Sequence, residues 1–309
     1  MPWSAADIPD LCGKLAIVTG ANSGLGLETT RALARRGARV VMACRSPSKA
    51  EAARAELIAG GIAGDLLELR ALDLADLASV RRFAEEILPT APQLDLLINN
   101  AGVMALPYSR TADGFEMQIG TNHLGHFALT GLLLGRLVET AGARVVTVAS
   151  LMHKLGKIRF DDLSWERGYR SWPAYGQSKL ANLLFGFELQ RRLDAAGHRL
   201  LSLAAHPGYA ATNLPSVGPQ MRGATLSGRM FALGNRVLAQ DAAAGALPSL
   251  YAATAADVRG GEYFGPAGPM ELRGPPRRVS PLPKARDPEA AARLWALSTE
   301  LTGVDYDCL

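Results

Sequence analysis

A doubly wound parallel β-sheet, flanked by helices on both faces, is the α/β fold class this sequence predicts, and three observations predict it. Short apolar runs such as Leu15-Ala16-Ile17-Val18 recur between turn signals, as expected of strands buried on both faces. Stretches with helical periodicity separate them, and strands alternating with helices give parallel sheets with right-handed crossovers. The first strand also runs straight into a glycine-rich turn, Thr19-Gly20-Ala21-Asn22-Ser23-Gly24-Leu25-Gly26. A strand, a glycine turn, a helix and a second strand make the dinucleotide-binding unit of a Rossmann fold.

Taken in order, the helix after that turn carries Leu27, Arg31, Leu33 and Ala34 and stops at Gly37. Strand two spans 39–44, a helix follows from Pro47 to Ala59, and strand three spans 67–72 before Asp73 and Leu74. Asp76 is placed to cap the next helix, which runs to Leu88. Strand four, 94–98, ends in Asn99-Asn100-Ala101-Gly102, and a long helical stretch is read from Gly114 to Val138. Strand five, 144–149, leads to Ser150; a helix carries Tyr175 and Lys179 to about Ala196; strand six spans 200–205. Then come a loop rich in Gly, Pro, Ser and Met, a helix from Gln240 to Ala253 and a short strand at Glu262-Tyr263-Phe264. Pro269 to Pro283 reads as an exposed segment, and Pro288 to Leu301 as a closing helix. The chain shows no internal repeat and no low-complexity linker. One domain over 1–309 is the simplest organisation, with a substrate flap at about 213–238 and a C-terminal extension at about 266–309.

Composition excludes several function classes. The chain of 309 residues is 48% hydrophobic and 20% charged, which suits a globular protein with a sizeable core. Its formal charge is only +4, and although the pI is near 9.1, Lys and Arg are scattered without a nucleic-acid motif. Three separated cysteines, Cys12, Cys44 and Cys308, form neither a disulfide framework nor a metal motif. His123 and His126 lie three apart, but no third ligand accompanies them, so no metal site is expected. The N-terminal stretch Met1 to Asp10 is neither a signal peptide nor an integral membrane segment, and a cytoplasmic setting is expected.

Gly20, Asp73, Asn100, Ser150 and Pro207 all stand just past strands. Ligands collect at the carboxyl ends of strands in such sheets, so one shared site follows. The glycines of 20–26 let the backbone turn and approach a pyrophosphate held at a helix N-terminus. Tyr175 and Lys179 are four residues apart, on one helix face. A free tyrosine titrates near pH ~10, and a neighbouring cation favours its phenolate, which suits acid–base work on an alcohol or carbonyl.

The motifs Thr-Gly-x-x-x-Gly-x-Gly at 19–26, Asn-Asn-Ala-Gly at 99–102, Tyr-x-x-x-Lys at 175–179 and Pro-Gly at 207–208 resemble those of short-chain dehydrogenases/reductases. The match covers roughly residues 14 to 265. The wording of Ala43-Cys44-Arg45-Ser46, Asn122-His123-Leu124-Gly125-His126-Phe127 and Ser178-Lys179-Leu180-Ala181-Asn182 is similar to the retinol dehydrogenase and WW-domain oxidoreductase branch. Because no N-terminal membrane segment is read here, a retinoid substrate is not implied.

The resemblance implies a catalytic set. Tyr175 is the acid/base, Lys179 lowers its pKa and binds the nicotinamide ribose, Ser150 bonds the substrate oxygen, and Asn122 holds a water linking Lys179 to solvent. It also implies cofactor contacts from Gly20, Asn22, Ser23, Gly24, Leu25, Gly26, Arg45, Asp73, Leu74, Asn100, Ala101 and Gly102. Further on, Tyr175, Lys179, Pro207, Gly208, Tyr209 and Thr212 complete them. Met104, Leu151, Met152, His153, Trp172 and Tyr209 neighbour the motifs as candidate substrate residues, with Leu106 beside them and Met221, Met230 and Phe231 in the flap. Such a lining favours a bulky apolar alcohol, ketone or aldehyde.

Strand two ends without the carboxylate that would bind the ribose 2′-hydroxyl of NAD. Arg45 offers a fork of donors for a 2′-phosphate, with Ser46 or Lys49 nearby, so NADP(H) is expected over NAD(H). Ser150 and Tyr175 are 25 residues apart, farther than in compact members of the family. The extra stretch, Leu151 to Ser171, is placed to cover the helix face that compact members use to pair subunits, and a monomer or homodimer is expected. An NADP(H)-dependent oxidoreductase is the leading reading. A dinucleotide-binding regulatory protein with little turnover is the alternative, which the complete catalytic set argues against.

Overall fold

Eight strands form one sheet in the order β3-β2-β1-β4-β5-β6-β7-β8. They are β1 (Leu15–Thr19), β2 (Arg39–Cys44), β3 (Leu67–Ala71), β4 (Leu96–Asn99), β5 (Arg144–Val148), β6 (Leu201–Ala205), β7 (Tyr263–Pro266) and β8 (Pro276–Arg278). The first seven run parallel, and β8 closes the edge antiparallel to β7. The computed structural model describes residues 2–209 and 240–309. Thr212 and the flap expected at about 213–238, with Met221, Met230 and Phe231, lie outside the described residues.

Neighbouring side chains along each strand divide between two cores. Ala16, Val18, Val40, Met42, Ile98 and Val146 face α1 (Gly24–Arg35), α2 (Pro47–Ala59) and α7 (Ala242–Thr254), which bring Leu33, Leu57 and Leu250. Ile17, Val41, Leu97 and Val145 face the other side, where α3 (Leu77–Ile87), α5 (Gly125–Glu139) and α6 (Ser171–Ala195) bring Phe83, Phe127 and Phe185. Apolar side chains on both faces explain why the strands read as continuous apolar runs. No helix of the described residues is long and apolar enough to cross a membrane.

Two expectations need correction. The long helical stretch does not begin at Gly114, which sits in a turn at φ +87°. It begins with α4 (Met117–Ile119), capped by the Glu116 side chain, and then winds as a π-helix over Gly120–Leu124 before α5. Second, the segment read as exposed at 269–283 contains β8, whose residues pair with Phe264, Gly265 and Pro266. The C-terminal extension expected at about 266–309 packs into the core: α8 (Pro288–Thr302) lays Leu294 against α6, and Tyr306 is buried beside Phe127 and Trp295. The long insertion at 151–171 also packs inward through Ile158 and Leu163.

Candidate active site

The site is assembled at the carboxyl ends of β1, β4 and β5. Thr19, the last residue of β1, ties the first two together. Its hydroxyl oxygen accepts the backbone N–H groups of Asn100 and Ala101, each at 2.9 Å. The Asn100 side chain returns a hydrogen bond to the Thr19 carbonyl at 2.7 Å. The amide nitrogen expected near a ribose is therefore committed to holding two strand ends together. Gly20, at φ +66°, approaches Ala101 so closely that a Cβ would crowd it. At Gly26 a Cβ would strike the Gly20 carbonyl oxygen and the Asn100 side chain. These two glycines allow a turn that no larger residue fits.

Beyond the turn, α1 presents its N-terminus. Ser23 caps it in extended conformation without a side-chain hydrogen bond, and no acidic residue stands in the first turn. By contrast α3, α7 and α8 are capped by Asp76, Asp241 and Asp287. A helix start left without an anionic cap fits the pyrophosphate of a dinucleotide. Arg45 is exposed just past β2 and has no acidic partner among the described residues, Ser46 is half-buried and Lys49 is exposed. Asp73 uses one carboxylate oxygen on the Ala75 N–H, and Leu74 is buried with its carbonyl against Gly125. Cys44 lies beside the amides of Ala21 and Asn22, and burial pushes its thiol up to about 11.

On the far side, α6 carries Tyr175 and Lys179, both buried. The Lys179 ammonium donates to the Val148 carbonyl at 3.0 Å, and Asn182 donates to the same oxygen at 3.1 Å. Val148 ends β5, two residues before Ser150, so this anchor fixes α6 against the strand end. The Ser150 side chain lies close enough to the Tyr175 phenol to oppose the effect of burial on it. The Ser150 hydroxyl oxygen also accepts the Met152 N–H at 3.2 Å, as cap of the 3-10 turn Leu151–Leu155. Burial pushes Tyr175 up to about 12, opposed by the neighbouring Ser150 side chain. Burial likewise pushes Lys179 down to about 8.

Asn122 lies in the π-helical turn, but its side chain has little capacity for the expected water. It accepts from Val103 N–H at 2.8 Å and donates to the Val103 carbonyl and the Ser178 hydroxyl, each at 2.9 Å. It clamps the segment after Gly102 onto the catalytic helix. His126 proves central: its ring bonds the Asn122 carbonyl at 3.0 Å and the Thr19 hydroxyl at 2.9 Å. Burial pushes it down to about 4, so it is a neutral bridge between the two halves of the site. Its position one helical turn after Asn122 was the available signal, together with Thr19 at the end of the first strand.

Among the candidate substrate residues, Trp172 is partly exposed with its ring edge-on to Tyr175 at 6.4 Å. Met104, Leu151 and Met152 are half-buried, and Leu106 is buried. Tyr209 donates its N–H to Leu272 at 2.8 Å, and Gly208 sits at φ +67° against the same carbonyl. The Pro207 carbonyl accepts from Gln240 at 2.6 Å. His153 does not face a substrate: it has no exposed surface and turns inward toward Tyr263. His206 is likewise internal and bonds Glu271 at 3.0 Å. No group of three or more metal-ligating side chains exists among the described residues.

The family model described as short chain dehydrogenase matches residues 14–220. The chain belongs to the short-chain dehydrogenase family. Among curated relatives, this short-chain dehydrogenase is 45% identical over 303 residues to retinol dehydrogenase 14 of Mus musculus, covering 94% of this chain and 86% of that one. It is 44% identical over 306 residues to retinol dehydrogenase 13 of Homo sapiens, covering 98% and 87%. A solved structure of an uncharacterized protein from Mycobacterium paratuberculosis superposes with a TM-score of 0.81 at 48% identity, covering 99% of both chains. An NADP-bound structure described as an NAD(P)-dependent gluconate 5-dehydrogenase from Beutenbergia cavernae superposes at TM-score 0.64 with 25% identity, covering 82% and 95%. The short-chain dehydrogenase described here is thus an NAD(P)-dependent oxidoreductase acting on alcohol or carbonyl groups, of the retinol dehydrogenase-like branch.

Proposed function

We propose that this enzyme transfers hydride between NADP(H) and the alcohol or carbonyl group of a bulky apolar substrate, with Tyr175 as general acid and base. The observation that carries this reading is the placement of Tyr175 and Lys179, both buried, one helical turn apart on α6 and beside the Ser150 side chain. Hydride chemistry belongs to the nicotinamide when it is bound. The chain's own residues handle the oxygen. As charge develops on it, the Ser150 and Tyr175 hydroxyls would serve as donors to it. A phenol pushed up to about 12 is fully protonated at neutral pH, which suits proton donation to an alkoxide in the direction of reduction. Lys179 would hold the nicotinamide ribose, and its ammonium would ease the loss of the phenolic proton in the opposite direction.

Arg45 supports the choice of NADP(H), because its donors stand at the strand end without a carboxylate competing for them. Trp172, Met104, Leu106 and Met152 support an apolar substrate, and retinoids enter the candidate list through the names of the relatives. The test is turnover with NADPH and NADH across ketones, aldehydes and retinoids, beside Tyr175→Phe. Tyr175→Phe should bind NADPH normally and lose turnover by at least ~100-fold. Near-normal turnover in that variant refutes the proposed chemistry, and small polar hydroxy acids as best substrates refute the proposed pocket.

A further inference from the structure

We propose that His153 is a positioning residue for Ser150, acting from behind the site as a neutral imidazole with its proton on Nδ1. This rests on the proposed role of Ser150 in bonding the substrate oxygen. His153 Nδ1 lies 2.7 Å from the Ser150 carbonyl oxygen, which also receives the His153 backbone N–H at 3.0 Å. A carbonyl only accepts, so Nδ1 must carry hydrogen. Nε2 is buried and has no hydrogen-bond partner. Protonating it would place a charged, unpaired N–H in a pocket that already holds His206 and feels Lys154 and Lys284. The pocket's other polar neighbours are Glu271, engaged with His206, and the Tyr263 phenol, whose ring meets His153 edge-on at 6.0 Å.

The turn that His153 staples is wedged against the helix carrying Tyr175. A Cβ on Gly156 would strike the Gly176 carbonyl oxygen, and one on Gly176 would crowd the Met152 carbonyl oxygen at 2.9 Å. The backbone of Ser150 therefore has one position relative to Tyr175, set by the His153 double hydrogen bond on one side and by Gly176 on the other. The Ser150 hydroxyl inherits that position. Displacement of a reacting group by an ångström can cost about 100-fold in rate, so the staple bears on chemistry without touching substrate.

The test uses side chains that differ in where they place a donor. In His153→Asn the amide nitrogen stands the same number of bonds from the backbone as Nδ1; in His153→Gln it stands one farther. His153→Gln and His153→Leu should lose kcat by about 10- to 100-fold, while His153→Asn stays within about threefold. NADPH affinity should be unchanged in all three. In a cycle with Ser150→Ala, His153→Leu should cause no further loss, because its effect passes through the serine. Additive losses, or equal kcat for the Asn and Gln variants, overturn the positioning role while leaving the reading of Ser150 intact. Full turnover in Ser150→Ala overturns both. Independently of activity, the 15N spectrum of the wild-type protein should show one histidine, absent in His153→Asn, with a protonated Nδ1 and a bare Nε2 at neutral pH. A protonated Nε2 there refutes the proposal even if every variant is impaired.

Discussion

The Lys179 ammonium lies 5.8 Å from the centre of the Tyr175 ring, and burial drives each group toward its neutral form. The pair is held by tertiary anchors at Val148 and Ser150 rather than by attraction between the two side chains. A buried lysine retained for function is a cost to stability.

Lys179→Met should therefore unfold at higher denaturant than the wild type at pH 7, while losing turnover. The sign follows from linkage. The lysine titrates at about 8 when folded and near ~10.4 when unfolded, so the penalty for its charge is complete below pH 8. Wild-type stability then rises relative to the variant between those values, and the advantage vanishes above ~10.4. Tyr175 titrates in both proteins and cancels in the comparison. Urea titrations at pH 7 and pH 10.5 decide it; a variant less stable at pH 7 contradicts the expectation.

Arg45→Ala should weaken NADPH binding by about 10- to 100-fold, the worth of a lost charge-assisted hydrogen bond, and leave NADH nearly unaffected. Dissociation constants for both cofactors in both proteins measure this. Equal losses for the two would place Arg45 over the adenine or on the surface instead.

Thr19→Val keeps the side chain's shape and removes the acceptor shared by the Asn100 and Ala101 N–H groups and the partner of His126. The Asn100 N–H keeps the Ile98 carbonyl, but the Ala101 N–H loses its acceptor; an unpaired buried donor costs about 1–3 kcal/mol, so stability should fall by at least ~1 kcal/mol. Cofactor affinity should fall with it, because the glycine turn and the Asn-Asn-Ala-Gly loop lose their common anchor. Chemical denaturation with a loss under ~0.5 kcal/mol would show that water replaces the hydroxyl.

Tyr306 closes the core from the C-terminus. Its ring lies 4.5 Å from that of Trp295 and 4.9 Å from Phe127, and its hydroxyl donates to the Phe127 carbonyl at 2.7 Å. Tyr306→Ala should cost ~3–5 kcal/mol, as other buried aromatic truncations do. The folded fraction should retain its turnover, since α5 rather than the site takes up the cavity. A thermal midpoint unchanged in the variant would mean that the tail does not contribute to the cooperative core.

The sequence by itself determined the parallel sheet and the shared helix face of Tyr175 and Lys179. Apolar runs such as Leu15 to Val18 reported strands buried on both faces, and four-residue spacing placed Tyr175 and Lys179 on one helix face. These features are local: a strand's period and a helix's pitch are set within a few residues. What tertiary structure decided was the direction and environment of particular side chains. His153 stood next to Ser150 in sequence and read as a substrate neighbour, but Tyr263, from a distant strand, gives its ring an interior place. Asn122 read as the holder of a water and Asn100 as a cofactor contact, and packing engages their side-chain amides with Val103, Ser178 and the Thr19 carbonyl. Lys179 was expected to lower Tyr175; burial, which residue spacing does not report, raises it. The π-helical winding at Gly120–Leu124 and the antiparallel β8 also escaped the periodicity. A side chain's hydrogen bonds and proton affinity depend on what packs against it in three dimensions, and no local spacing carries that information.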